Sequence, residues 1–308
     1  MPSSAARQAE PVASPLARLF LQEDLNFLVT NRLPRRTATK LMGWFSRIES
    51  RRLTRASLAV WKLFADDLRL DESPTTDFKS LHECFVRELK PGARPVHPDP
   101  DVLVSPCDAI VGAHGPVRGT EVFQAKGFPY SLDDLLQDQR LVERHRDGRF
   151  ITLRLKSNMY HRFHAPCDAR VRGVTYVSGD TWNVNPIALE RVERLFCKNE
   201  RAVIDLETPR FGGALTMVPV AAILVASMRF TFVDTPLTLE HRGARFFGCD
   251  ASVSKGDELG RFEAGSTIIL FASGDFEFAP DLRTGDVVRV GEPLLRFTQK
   301  SPHPGESR

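Results

Sequence analysis

Apolar positions along this chain follow two different periods. Between residues 16 and 90 they recur at helical spacing, as in Leu21/Leu25/Leu28 and Trp61/Phe64/Leu68, with breaks at Pro34 and Ser73-Pro74. A proline-rich extended stretch runs from Pro91 to Pro106, and from about Val102 alternation and β-branched residues take over. Arg149 to Lys156 sets Ile151, Leu153 and Leu155 on one face and Thr152, Arg154 and Lys156 on the other, which predicts a half-buried strand. Further strands are predicted at 171–177, 202–207, 215–225, 229–233, 268–271, 287–290 and 294–298. One short helix interrupts them, with Ser131 as its N-cap and Asp134 three residues on. The pattern predicts an α+β protein. Residues 1–15 are expected to be disordered, 16–90 to form a helical subdomain, and 91–308 to form a β-rich core of antiparallel or mixed sheets.

Composition narrows the setting. A 308-residue chain with 42% hydrophobic residues can bury a substantial core. The cysteines Cys84, Cys107, Cys167, Cys197 and Cys249 are scattered and form no Cys-x-x-Cys, which predicts reduced thiols in a cytosolic setting. Met1 to Pro15 lacks the apolar core of a signal peptide, and no run of about 18 apolar residues predicts a membrane span.

Charge is distributed unevenly. Between Arg32 and Lys62 nine basic residues face one acid, Glu49, so this segment carries +8 in a chain whose net charge is +3. Leu41, Met42, Trp44, Phe45, Val60 and Trp61 are interleaved with these charges. Such a segment suits an anionic membrane surface, with arginines for headgroups and aromatics for the acyl boundary. A helical cap that packs its apolar face on the core would read the same way. No nucleic-acid motif accompanies the charge, so no nucleic acid is expected.

Three segments carry candidate chemistry. Gly265-Ser266-Thr267 runs directly into the apolar stretch Ile268-Ile269-Leu270-Phe271. Glycine leaves its own carbonyl unshielded, and serine supplies a nucleophile once a base takes its proton. Tyr160-His161-Arg162-Phe163-His164 offers two candidate bases, and Ser105-Pro106-Cys107-Asp108 offers a carboxylate to orient one of them. Asp168 is a competing carboxylate. In an extended segment, an offset of three puts His161 and His164 on opposite faces, where they serve different partners. His161-x-x-His164-x-x-Cys167 lacks a second pair of ligands, so no metal is expected.

These segments resemble those of the phosphatidylserine decarboxylases. The similarity extends to Phe85-Val86-Arg87-Glu88-Leu89-Lys90-Pro91-Gly92-Ala93-Arg94-Pro95, Gln124-Ala125-Lys126-Gly127, Gly179-Asp180 and Asn199-Glu200-Arg201, and covers roughly residues 16 to 298. The resemblance implies self-cleavage between Gly265 and Ser266 into a long N-terminal (beta) and a short C-terminal (alpha) subunit. Asp108 and His164 would activate Ser266, which would become a covalent N-terminal pyruvoyl group. It further implies decarboxylation of phosphatidylserine to phosphatidylethanolamine through a Schiff base to that group, with His161 acting on the substrate. The implied partners are phosphatidylserine in the membrane, an anionic membrane surface and the protein's own two subunits, and a homodimer stays open. The expected location is peripheral, on the cytoplasmic face of the cell membrane. A pyruvoyl enzyme for another serine-type or amino-acid substrate, and a non-cleaving lipid-binding member, are the alternatives. Two residues depart from the family pattern: Ala264 replaces a leucine and Ala109 a glycine. Were positive φ required at Ala109, alanine would cost about 1 kcal/mol.

Overall fold

The computed structural model describes residues 35–63, 65, 68–125, 128–211, 213–222, 227–238, 245–263 and 266–298. The segment expected to be disordered, together with Leu21, Leu25, Leu28, Phe64, Ala264 and Gly265, lies outside the described residues.

Two amphipathic helices come first, α1 (Arg35–Ser46) and α2 (Arg51–Lys62). Extended backbone at Ser50 lets its Oγ accept from the Leu53 amide at 3.4 Å, which caps α2. Leu58, Leu68, Phe78 and Cys84 form a small apolar cluster of their own, with Trp61, Leu70 and Leu81 against it. α3 (Leu81–Phe85) closes that cluster, and Trp61 stacks on Phe85 with ring centroids 6.0 Å apart. Leu41, Trp44, Val60 and Leu63 stay exposed, each more than half accessible, from 56% to 74%.

The rest is mainly antiparallel sheet. Its first strands are β1 (Val102–Val104), β2 (Ala109–Pro116), β3 (Glu121–Ala125), β4 (Phe128–Ser131), β5 (Arg149–Arg154) and β6 (Arg162–His164). There follow β7 (Ala169–Val177), β8 (Arg201–Thr208), β9 (Gly213–Ala221), β10 (Ser227–Phe230), β11 (Val233–Thr238) and β12 (Phe246–Val253). The last are β13 (Glu258–Phe262), β14 (Ser266–Ala272), β15 (Phe276–Phe278), β16 (Val287–Val288) and β17 (Pro293–Phe297). Eight strands form one sheet in the order β12-β7-β8-β9-β14-β5-β2-β16, and four form another in the order β11-β10-β13-β6. The α+β class read from the sequence is the fold observed.

Two local expectations need correcting. β5 is buried on both faces, with Phe150, Ile151, Thr152 and Leu153 at most 3% accessible. One face meets the main core with Ile268 and Leu270. The other joins a second core containing Leu132, Leu135 and Leu141 from the short helices α4 (Leu132–Leu136) and α5 (Gln139–His145). Helices covering the second face of a sheet remove the solvent that alternation assumes. The strand expected at 229–233 is instead a turn at Thr231-Phe232 between β10 and β11, which pair antiparallel. α4 begins as read, since Ser131 Oγ accepts from the Asp134 amide at 3.1 Å.

In the large sheet β9, β14 and β5 are neighbours, and in the small sheet so are β10, β13 and β6. Chain order joins β9 to β10, β13 to β14 and β5 to β6. Three adjacent crossings therefore run between the same two sheets. The middle crossing leads into Ser266, the first residue of β14, and the β5–β6 crossing holds Tyr160-His161.

Candidate active site

Ser266 is the first residue of β14, paired across to Ala221 of β9, and its carbonyl accepts from the Leu155 amide at 2.9 Å. It is fully buried, and its Oγ has no hydrogen-bond partner among the described residues. A buried hydroxyl left unsatisfied is costly, of order 1–3 kcal/mol, and such groups call for a chemical explanation.

The histidine segment is held against the same crossing. The Phe262 amide donates to the His161 carbonyl at 3.0 Å, four residues before Ser266. Both rings of the pair differ in surroundings, as an offset of three in extended chain requires. His161 is buried against Phe85, ring centroids 3.9 Å apart. Burial, with the nearby Arg87 charge, pushes its imidazole down to about 3, so it is neutral at physiological pH. His164 is half-buried and stacks on Tyr160. Its Nδ1 lies 2.8 Å from the Gly256 carbonyl and its Nε2 lies 3.1 Å from the Tyr160 hydroxyl. A carbonyl only accepts, so Nδ1 carries the proton and Nε2 presents its lone pair to Tyr160. Burial lowers this imidazole below its ordinary value, against the opposing pull of the Gly256 carbonyl and the Glu258 and Asp108 charges. Gly256 aims its carbonyl from a left-handed turn with φ +92°, a conformation that favours glycine.

Asp108 arrives from the loop between β1 and β2, and the His164 amide donates to the Pro106 carbonyl of that loop at 2.8 Å. Its carboxylate is tied elsewhere. Arg94 Nε approaches Oδ1 at 2.9 Å and Arg94 Nη2 approaches Oδ2 at 2.5 Å, while the Val290 amide donates to Oδ1 at 3.0 Å. Arg94 also reaches Glu72 at 2.7 Å. Burial opposes the Arg94 charge, but these two carboxylates outweigh it and hold the guanidinium well above its ordinary range. The Pro106 contact thus brings His164 to the Asp108 loop, while His164 stands in register with Glu258, eight residues before Ser266, and among the described residues none of the three side chains is hydrogen-bonded to another. Asp168 accepts from the Lys255 amide at 2.8 Å. Ala109 starts β2 opposite Val288 and has no positive φ, so it carries no backbone strain.

Tyr160, Arg94 and Gly256 had no assigned role in the sequence. Tyr160 and Arg94 stand inside the segments that carry the family resemblance, whereas only the fold brings Gly256 to His164.

A sequence model of the family described as phosphatidylserine decarboxylase matches residues 81–296. The chain belongs to that family. Three phosphatidylserine decarboxylase proenzymes illustrate the similarity. That of Erwinia tasmaniensis is 35% identical over 280 residues, covering 87% of this chain and 93% of the relative. That of Vibrio parahaemolyticus is 36% identical over 274 residues, covering 85% and 94%. That of Yersinia pestis is 35% identical over 285 residues, covering 88% and 95%. These phosphatidylserine decarboxylase relatives are named as proenzymes, which fits chains that are processed after synthesis. Among the described residues no helix is long and apolar enough to cross a membrane.

Proposed function

We infer that this protein is a phosphatidylserine decarboxylase that cuts its own chain between Gly265 and Ser266. The buried, unpartnered Ser266 hydroxyl at the start of β14 carries the reading. The residues present fit a pyruvoyl group made there: Ser266 supplies a buried hydroxyl without a partner among the described residues, and burial holds the His164 imidazole below its ordinary value, as a base requires.

In maturation His164 Nε2 takes the Ser266 proton, and Oγ attacks the Gly265 carbonyl, turning amide into ester. Loss of the Ser266 α-proton then breaks the Cβ–Oγ bond, releasing a Gly265 carboxylate and leaving a dehydroalanine. One water converts that residue to the pyruvoyl group and ammonia. The first step asks Ser266 Oγ and His164 Nε2 to come within hydrogen-bond reach, at the expense of the Tyr160 contact; such contacts commonly tighten only on the reaction path. Asp108 favours the imidazolium through its charge, from a position that Arg94 and Val290 fix.

The pyruvoyl ketone and adjoining amide supply the electron sink for the pair left when CO2 departs. His161, neutral and packed on Phe85, bounds the site on the substrate side. The product is phosphatidylethanolamine. The long and short subunits stay together, because β14 is hydrogen-bonded between β5 and β9 across the cut. The basic helical segment docks on an anionic bilayer, which makes the protein peripheral on the cytoplasmic face.

The decisive experiment is denaturing mass spectrometry. Wild type should give a C-terminal piece of 43 residues, 266 to 308, beginning with a pyruvoyl group. Asp108→Asn and His164→Ala should each block the cut, and the double variant should be no worse than the slower single. Multiplicative deficits would show that the two residues act separately. His161→Ala should mature yet decarboxylate poorly.

A further inference from the structure

The small sheet carries a row of arginines that the reaction so far leaves unused. Arg229, Arg261 and Arg162 are register partners across β10, β13 and β6. Directly opposed residues of an antiparallel pair stand close enough for their side chains to share a ligand. Two of the three are committed. Arg162 holds Glu258 at 2.8 Å, Glu88 at 3.2 Å and the Val86 carbonyl, and Arg229 holds Glu263 at 3.1 Å. Arg261 differs: its Nε is buried and has no hydrogen-bond partner among the described residues.

Arg229 and Arg261 line a cavity of about 280 Å³ with Phe230, Thr231, Val233, Asp234, Glu258 and Gly260. Of its two carboxylates, Glu258 is neutralised by Arg162, and Asp234 is exposed to solvent. Through Glu263 the arginine row is also tied to the helical segment. Glu263, two residues past Arg261, pairs with Arg229 and with Arg47, the residue after α1. Arg261 acts on the same cluster: burial first, and then the Arg47, Arg261 and Arg229 charges, lower the His82 imidazole against the pull of Glu263.

We propose that this cavity is the subsite for the phosphodiester of phosphatidylserine, with Arg261 as its principal anion ligand and Arg229 beside it. A guanidinium with an unused donor offers charge-assisted hydrogen bonds to phosphate oxygens. Only a two-carbon arm separates the phosphodiester of this substrate from its reacting amine. The phosphate must therefore be bound close to Ser266, and Arg261 of β13 is five residues before it, at most about 17 Å of extended chain away. The proposal rests on the decarboxylase reading, which turnover by the wild type tests independently.

The test uses the mature enzyme and water-soluble short-chain phosphatidylserine below its micellar concentration, so that bilayer docking plays no part. Arg261→Gln should cut itself normally, raise KM at least tenfold, about one lost charge-assisted hydrogen bond, and leave kcat within about twofold. Arg261→Lys should fall between. The wild type should prefer the anionic phosphodiester over an uncharged phosphotriester analogue, and Arg261→Gln should lose that preference. If Arg261→Gln does not mature, Arg261→Lys carries the comparison. An unchanged KM, an undiminished preference for the diester, or a loss confined to kcat overturns the proposal. Wild type that turns over neither substrate would instead refute the decarboxylase reading.

Discussion

The Tyr160 hydroxyl donates to Nε2 of His164 at 3.1 Å, and the two rings stack with planes 27° apart. This occupies the lone pair that must receive the Ser266 proton. A donor on that lone pair favours the neutral imidazole, adding to the burial that already lowers it. The resting precursor therefore keeps its base unprotonated but engaged.

Tyr160→Phe should consequently shift the pH dependence of maturation. The base works only when neutral, so the cutting rate falls as pH drops through the His164 pKa. In the wild type that limb should lie below the ordinary histidine value of about 6.5. Without the hydroxyl the imidazole holds its proton to higher pH, and the limb should move upward. Cutting rates measured by intact mass between pH 5 and 8 would reveal the shift; superimposable profiles would remove Tyr160 from the account.

Ser266→Ala should stay uncut and lose no stability. The hydroxyl it removes is fully buried and makes no hydrogen bond among the described residues, so its desolvation is uncompensated. Replacement should be neutral or stabilising by up to about 1 kcal/mol, measured by denaturant unfolding against uncut wild-type precursor. A large loss would mean that the hydroxyl has a partner in solution.

Acid should unfold the protein through its buried imidazoles. Burial, with adjacent arginine charges, pushes both His161 and His145 down to about 3. Unfolded, each would take its proton near pH 6.5, so the unfolded chain binds more protons between pH 6.5 and 3. Stability should then fall with falling pH across that window, by up to about 1.4 kcal/mol per unit for each group. His145→Gln, which retains a polar group near the Thr216 hydroxyl that His145 contacts at 2.7 Å, should flatten the slope. An equal slope in both proteins would contradict buried neutral His145.

The chemistry was more legible in the sequence than its surroundings. Gly265-Ser266 before an apolar run, the His161/His164 spacing and the helix-to-strand change at about Val102 are local patterns, and each is carried by contiguous residues. The carboxylate clamp of Arg94, the Gly256 carbonyl and the arginine row of β10, β13 and β6 are pairings across 14 to 99 positions. Periodicity carries no information about such register. The turn inside 229–233 was hidden for a related reason, because Arg229-Phe230-Thr231-Phe232-Val233 alternates straight through it.

The structure redistributes the expected roles within the basic segment, and membrane binding should follow that redistribution. Trp61 packs inward on Phe85, so Trp61→Ala should unsettle the helical cluster more than it weakens lipid binding. Arg47 is engaged by Glu263, and Arg51 and Arg55 reach Asp77 at 3.4 and 3.1 Å. Their charges are partly answered within the chain, whereas Leu41, Trp44, Val60 and Leu63 stay exposed with their apolar surface unspent. Each basic residue near an anionic surface still contributes about 1 kcal/mol, screened beyond roughly 8 Å at physiological salt. Apolar insertion is not screened. High salt should therefore loosen vesicle binding without abolishing it, and a Leu41/Trp44/Leu63→Ser triple variant should make the remaining binding fully salt-sensitive. Co-sedimentation with vesicles containing anionic lipid, at low and high salt, measures both. A triple variant that binds like the wild type at high salt would mean that these side chains cover protein rather than lipid.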